Sequence, residues 1–229
     1  MLSHNNSLIT LQHVSMRYDR RAILKDIDLE IKQGDFLAVT GPNGGGKTTL
    51  LRILLKLLKP TAGSVNYSFT SPTDRQPIGY LPQKNLIDHR FPITVKEVIN
   101  LGLMAVKNLT KQEKETRLAE TVELLGLADH ADSIIGEISG GQLQRTLFGR
   151  AIISRPQMLV LDEPLSYLDK HYEKKMYEII ESLMPSTTFV LVSHEMSTIA
   201  EMANRHIIID RSLHECCASH HFARLSCED

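Results

Sequence analysis

The chain predicts an α/β fold, a parallel β-sheet core covered by helices on both faces, on three observations. Short continuous apolar runs at 36–40 (FLAVT), 158–161 (MLVL) and 188–192 (TFVLV) are what strands buried on both faces require. Segments with apolar residues at 3.6-residue spacing lie between them, and strands alternating with helices make a parallel sheet. A glycine-rich turn joins 36–40 directly to a helical stretch, which puts a helix N-terminus at the end of a buried strand.

The elements follow in order. Residues 8–14 (LITLQHV) and 27–31 (IDLEI) alternate apolar and polar and read as half-buried strands. After the strand 36–40 and its turn, 48–58 has helical spacing until Lys59-Pro60 stops it. Two short strands, 63–67 and 78–81, flank a Ser/Thr/Pro/Asp-rich loop. From 94 to about 135 the pattern is helical throughout, in 94–106 and 111–127, with no strand signal between. Together with a helix over 142–154 this predicts an inserted helical lobe, about 85–150. The strand 158–161, a helix over 170–184, the strand 188–192, a helix over 195–203 and a last strand over 206–210 complete one domain, 1–210. Nothing repeats internally.

Residues 211–229 read as a tail. It carries His214, Cys216, Cys217, His220, His221 and Cys227, at spacings that are neither C-x₂-C nor H-x₃-H. An unstructured tail, adventitious metal binding and a specific metal site all stay open, and its removal is expected to leave activity intact.

Composition excludes several classes. Hydrophobic residues are 42% and charged residues 23%, a globular balance. The 26 basic and 27 acidic residues leave a formal charge of -1, which argues against a general nucleic-acid binder. No apolar run approaches the ~18 residues of a membrane-spanning helix. Residues 1–6 (MLSHNN) lack a basic segment followed by an apolar one, so no secretory signal is expected. All 3 cysteines fall at or after position 216, which leaves the body without a disulfide framework and suits a reducing compartment.

Several motifs carry chemistry. Gly41-Pro42-Asn43-Gly44-Gly45-Gly46-Lys47-Thr48 matches G-x-x-x-x-G-K-[ST]. Its glycines let successive N–H groups converge on phosphate oxygens, Lys47 would reach the β- and γ-phosphates, and the Thr48 hydroxyl would ligate Mg²⁺. Thr49 follows in the same first helical turn. Asp162 and Glu163 end a buried strand, and ligand crevices in parallel sheets lie at that end. Asp162 could hold Mg²⁺ through water, and Glu163 could polarise an attacking water. Ser139-Gly140-Gly141-Gln142 opens a helix, either as a second anion-binding terminus or as an ordinary capped start. Gln83 and His194 both follow strands, where a surface polar residue is the plain alternative. Tyr18 could stack on a base or belong to the core.

These features, in this order, resemble the ATP-binding-cassette ATPases from about residue 8 to about 210. Gly41–Thr48 resembles the Walker A loop, and Met158–Glu163 the Walker B strand with its catalytic glutamate. Ile138–Gln142 looks like the signature sequence, Gln83 like the Q-loop glutamine, Ser166-Tyr167-Leu168-Asp169 like the D-loop, and His194 like the switch histidine. Tyr18 looks like the aromatic that stacks on adenine. Three positions depart from the commonest pattern: Ile138 in place of Leu, Gly45 before the last loop glycine, and Tyr167 in the D-loop.

The resemblance implies a P-loop NTPase (RecA-like) core with an antiparallel β subdomain and an inserted α-helical subdomain. It implies ATP and Mg²⁺ as ligands, the metal being met by Thr48, Gln83 and Asp162. It also implies a head-to-tail homodimer in which Ser139, Gly140, Gly141 and Gln142 cap the other chain's ATP and Asp169 couples the two sites. Glu163, His194 and Gln83 are the expected catalytic set. The expected partners are integral-membrane permease subunits and an extracytoplasmic substrate-binding protein, with the chain on the cytoplasmic face of a bacterial inner membrane. No nucleic acid is expected. His89–Val95 and the continuation Gln142-Leu143-Gln144-Arg145 are similar to ATPases of zinc, manganese and iron importers. Haem or siderophore import, export, and a non-transport cassette acting on nucleic acid or ribosomes are the alternatives.

Overall fold

The computed structural model describes residues 6–69, 77–83, 90–165, 168–193 and 202–216. Its core is a six-stranded sheet, in spatial order β5 (Ile78–Leu81), β6 (Met158–Asp162), β7 (Thr188–Val192), β3 (Phe36–Thr40), β8 (Arg205–Asp210) and β9 (Ser212–Cys216). The first five run parallel; β9 returns antiparallel along β8. Every residue of β6 and β7 is buried, which accounts for their unbroken apolar runs.

Pleating sends alternate side chains of these strands into two separate cores. Phe36, Ala38, Leu159, Leu161, Phe189 and Leu191 join the core beneath the helical lobe. Leu37, Val39, Met158, Val160, Val190 and Val192 join the other, together with helix α1 (Lys47–Leu54). A register slip of one residue would exchange the two sets, so both cores fix the pairing.

A second, antiparallel sheet has the order β2 (Arg21–Lys32), β1 (Ser7–Tyr18), β4 (Ala62–Tyr67). Strands β1 and β2 extend well past the expected 8–14 and 27–31. Tyr18 pairs with Arg21 across a two-residue turn at Asp19-Arg20, through a polar stretch that lacks clean alternation.

The helical lobe holds α2 (Val95–Asn100), α3 (Lys111–Leu124) and α4 (Gly140–Ile152). Each begins with a reciprocal capping box, Thr94/Glu97, Thr110/Glu113 and Ser139/Gln142. Helix α2 is shorter than the expected 94–106, because Leu101–Leu103 tighten into a 3₁₀ turn. Helix α5 (Lys170–Leu183) lies beside the core sheet, with Asp169 at its N-cap.

Two further expectations are corrected. Helix α1 stops at Leu54, short of the expected 58. Lys56 adopts φ 60, and the N–H groups of Lys56 and Leu57 donate to the carbonyls of Ile53 and Arg52. That is a left-handed terminator in which lysine occupies the usual glycine position. The tail does not begin at 211, because Ser212–Cys216 form the edge strand β9. The expected helix over 195–203 falls mostly outside the described residues.

Candidate active site

Strand β3 delivers the chain into the phosphate loop, and Gly46, at φ 114, caps the start of α1. The loop rests on the backbone at the end of β8. A Cβ on Gly41 would lie 2.1 Å from the Ile209 carbonyl oxygen, and one on Gly45 would lie 2.5 Å from it. Gly45 therefore has a steric reason in this chain. The Arg211 N–H donates to the Gly45 carbonyl at 2.8 Å and fastens the loop to the β8–β9 turn.

Lys47 is buried at 8% exposure. Its Nζ donates to the carbonyls of Gly41 (2.7 Å) and Pro42 (3.0 Å). The ammonium is thus held at the mouth of the loop, where the first N–H groups of α1 also converge.

A cavity of about 320 Å³ opens here. The loop and first turn of α1 supply Asn43, Gly44, Gly46, Lys47, Thr48 and Thr49. Tyr18 and Ile23 enter from the antiparallel sheet, Gln83 from the end of β5, and Asp162, Glu163 and Val192 from the ends of β6 and β7. Tyr18 is 43% exposed, which removes the core alternative for it. Asp162 is buried at 7% exposure. Tyr80, half-buried beside it, has its hydroxyl pKa pushed up by burial and then by the Asp162 charge.

Glu163 sits at φ 52, a left-handed conformation unusual outside glycine and the kind of strain that collects at functional sites. Its N–H donates to the Val192 carbonyl at 2.9 Å, and its Oε2 accepts from Gln83 Nε2 at 3.2 Å. Gln144, on α4 and fully buried, donates through Nε2 to the Pro164 carbonyl at 2.9 Å and lies 3.5 Å from the Glu163 carbonyl. The sequence reading names Gln144 only within the continuation Gln142–Arg145 and gives it no part in the site. The signal for such a role is a polar residue on the apolar face that carries Leu143, Leu147 and Phe148.

Two groups of expected residues lie apart from this cavity. Ser139–Gln142 form the first turn of α4. The Ser139 hydroxyl accepts from the Gln142 N–H at 3.2 Å, Gln142 Oε1 accepts from the Ser139 N–H at 2.7 Å, and Gln142 Nε2 meets His130 Nε2 at 2.6 Å. None of the four lines the cavity. Asp169 accepts from the Tyr172 N–H at 3.0 Å as a helix cap. His194, Ser166 and Tyr167 lie outside the described residues.

A family model described as "ABC transporter" matches residues 24–166, more than half of the sequence. The chain belongs to the ABC transporter family. The matched span contains the phosphate loop, Gln83, Ser139–Gln142 and the Asp162-Glu163 pair; Tyr18, Asp169 and His194 fall outside it.

Curated ABC relatives align along most of the chain. A "Probable metal transport system ATP-binding protein" of Chlamydia muridarum is 35% identical over 211 residues, covering 90% of this chain and 89% of the relative. The "Zinc uptake system ATP-binding protein ZurA" of Listeria innocua is 35% identical over 226 residues, covering 92% and 88%. Among solved structures, the ATP-binding cassette MJ0796, a dimer in a post-hydrolysis state bound to ADP and Pi, superposes with a TM-score of 0.81 at 25% identity. That match covers 93% of this chain and all of the other. The cassette architecture with mixed parallel and antiparallel sheets is thereby established for this ABC chain.

Proposed function

We propose that the chain is the ATP-hydrolysing subunit of an ABC transporter that takes up a divalent metal ion, zinc, manganese or iron. One observation carries the ATPase reading. A single cavity gathers a buried lysine on a phosphate loop, a buried aspartate and a strained glutamate hydrogen-bonded to a glutamine. Lys47 and the loop N–H groups hold the β- and γ-phosphates, and Tyr18 stacks on the adenine. Asp162, the Thr48 hydroxyl and the Gln83 amide oxygen are hard oxygen donors, the kind that suits Mg²⁺. Bound with the nucleotide, the metal neutralises phosphate charge.

Glu163 orients and polarises the attacking water, assisted by Gln83 and His194. Ser139–Gln142 close over the nucleotide of a second copy, and Asp169 couples the two sites. The chain works with a membrane permease and an extracytoplasmic binding protein, at the cytoplasmic face of a bacterial inner membrane. No helix among the described residues is long and apolar enough to cross a membrane. The names of the Chlamydia and Listeria relatives support a metal as cargo.

The test has two parts. Lys47→Ala should lower ATP turnover by at least about a hundredfold through loss of the phosphate clamp; unchanged turnover would remove the ATPase reading. Glu163→Gln in the native host, grown with limiting zinc or manganese, should lower the cellular content of one metal by elemental mass spectrometry. Unchanged content of every metal would remove the importer reading.

A further inference from the structure

We infer that Gln144 is a positioning residue for Glu163. The inference rests on the role proposed above for that glutamate.

Gln144 sits in the apolar core at 0% exposure. Its Oε1 has no hydrogen-bond partner among the described residues. A buried amide left half satisfied is costly, whereas methionine or leucine would fill the same space without desolvation. Core packing therefore does not account for a glutamine here.

What the side chain does is aim its NH₂ group at one backbone turn. It donates to the Pro164 carbonyl at 2.9 Å and reaches 3.5 Å from that of Glu163. That turn is the strained one. Glu163 is held at φ 52, its N–H tied to Val192 on the other side. A left-handed residue persists only where its surroundings over-determine it. Two backbone anchors, Val192 before and Gln144 after, do so here, and they aim the carboxylate at Gln83 and the cavity.

Without the Gln144 donor the Glu163 and Pro164 carbonyls lose their anchor, and the turn can relax towards an unstrained conformation. A displacement of about 1 Å in a reacting group costs on the order of a hundredfold in rate. Gln144 also lies on the helix whose first turn carries Ser139–Gln142, so its hydrogen bond links that terminus to the catalytic turn.

The experiment compares wild type, Gln144→Met, Gln144→Leu, Glu163→Gln and the Gln144→Met/Glu163→Gln double variant, all as full chains. It measures single-turnover ATP hydrolysis, ATP affinity and thermal melting. Removing the donor should lower the hydrolytic rate roughly tenfold or more. ATP affinity and melting temperature should stay at wild-type values. In the Glu163→Gln background the same change should cause no further fall.

An unchanged rate in both Gln144 variants overturns the inference. So does a fall that persists in the double variant, or one in which rate, affinity and melting temperature drop together, as a structural role predicts. Wild-type hydrolysis by Glu163→Gln alone would show that the glutamate reading has failed, and the inference falls with it.

Discussion

At the residue scale, backbone proximity explains what side-chain chemistry leaves open. Gly45 replaces the small side chain more usual in this loop, and the Ile209 carbonyl leaves it no room for one. Gly45→Ala must shift either the loop or the end of β8, and overpacking of this kind costs about 1–3 kcal/mol. We expect ATP affinity to weaken roughly tenfold by calorimetry, the lower part of that range. Unchanged affinity would mean that the loop moves aside freely.

His13 is a second local case. Its ring Nδ1 lies 2.9 Å from Asp26 Oδ1 and 3.5 Å from Asp28 Oδ2, the one grouping of three metal-ligating side chains among the described residues. The hydrogen bond to Asp26, then the charges of Asp28 and Asp26, raise the His13 pKa above its ordinary 6.5. A raised histidine favours folding below its unfolded pKa, and that contribution fades as pH climbs through the folded value. Asp26→Asn should bring the His13 ring-proton titration back towards 6.5.

At the element scale, legibility follows burial. Strands β3 and β7 match their apolar runs to the residue, because strands covered on both faces tolerate no polar interruption. The capping boxes of the helical lobe are visible as T-x-x-E and S-x-x-Q. The end of α1 is not, because a lysine at φ 60 carries no sequence signature. Strand β9 is also hidden. It is an exposed edge with a charged, poorly alternating sequence, and Arg211 makes its turn without glycine.

Its cost of removal is nevertheless readable. Arg205 donates to Asp35 at 2.5 Å, to the Glu30 carbonyl at 2.6 Å and through two nitrogens to Glu215, which ties β9 to β2 and to the start of β3. The Arg205 hydrogen bonds hold the Glu215 carboxyl below its ordinary 4.5. That stabilisation is present above 4.5 and is lost as pH falls through the lower folded value. Arg205→Met should cost about 1–3 kcal/mol in chemical denaturation, since Asp35 and Glu30 lose a charged donor. A chain ending at Cys216 should keep wild-type ATP turnover. One ending at Asp210, for which the sequence alone leads to intact activity, also loses β9 and the Arg211 bond to the phosphate loop and should instead lose turnover and melting temperature together.

At the scale of the whole molecule, Ile23 and Val192 line the cavity without belonging to any motif, whereas the phosphate loop, Gln83 and the Asp162-Glu163 pair were legible because each is a local device at the end of a core strand. The role of Gln144 was not, because its partners lie 19 and 20 residues away and meet it only through the packing of α4. The same packing leaves one feature without a use inside a single chain. Among the described residues, two glycine-rich helix starts suited to phosphate are present, and of these the one at Lys47 faces the cavity. Ser139 is exposed on the other. A second copy arranged head to tail would bring the start of its α4 to this cavity, where its dipole and N–H groups would meet the outer phosphate. ATP binding and dimerisation would then be separable. Glu163→Gln with saturating Mg-ATP should run as a dimer by light scattering. Adding Ser139→Arg, which places a long side chain on that surface, should return it to a monomer that still binds ATP at the Lys47 loop. A double variant that stays dimeric would place the contact elsewhere. One that loses ATP binding as an isolated chain would mean that the α4 terminus serves its own cavity.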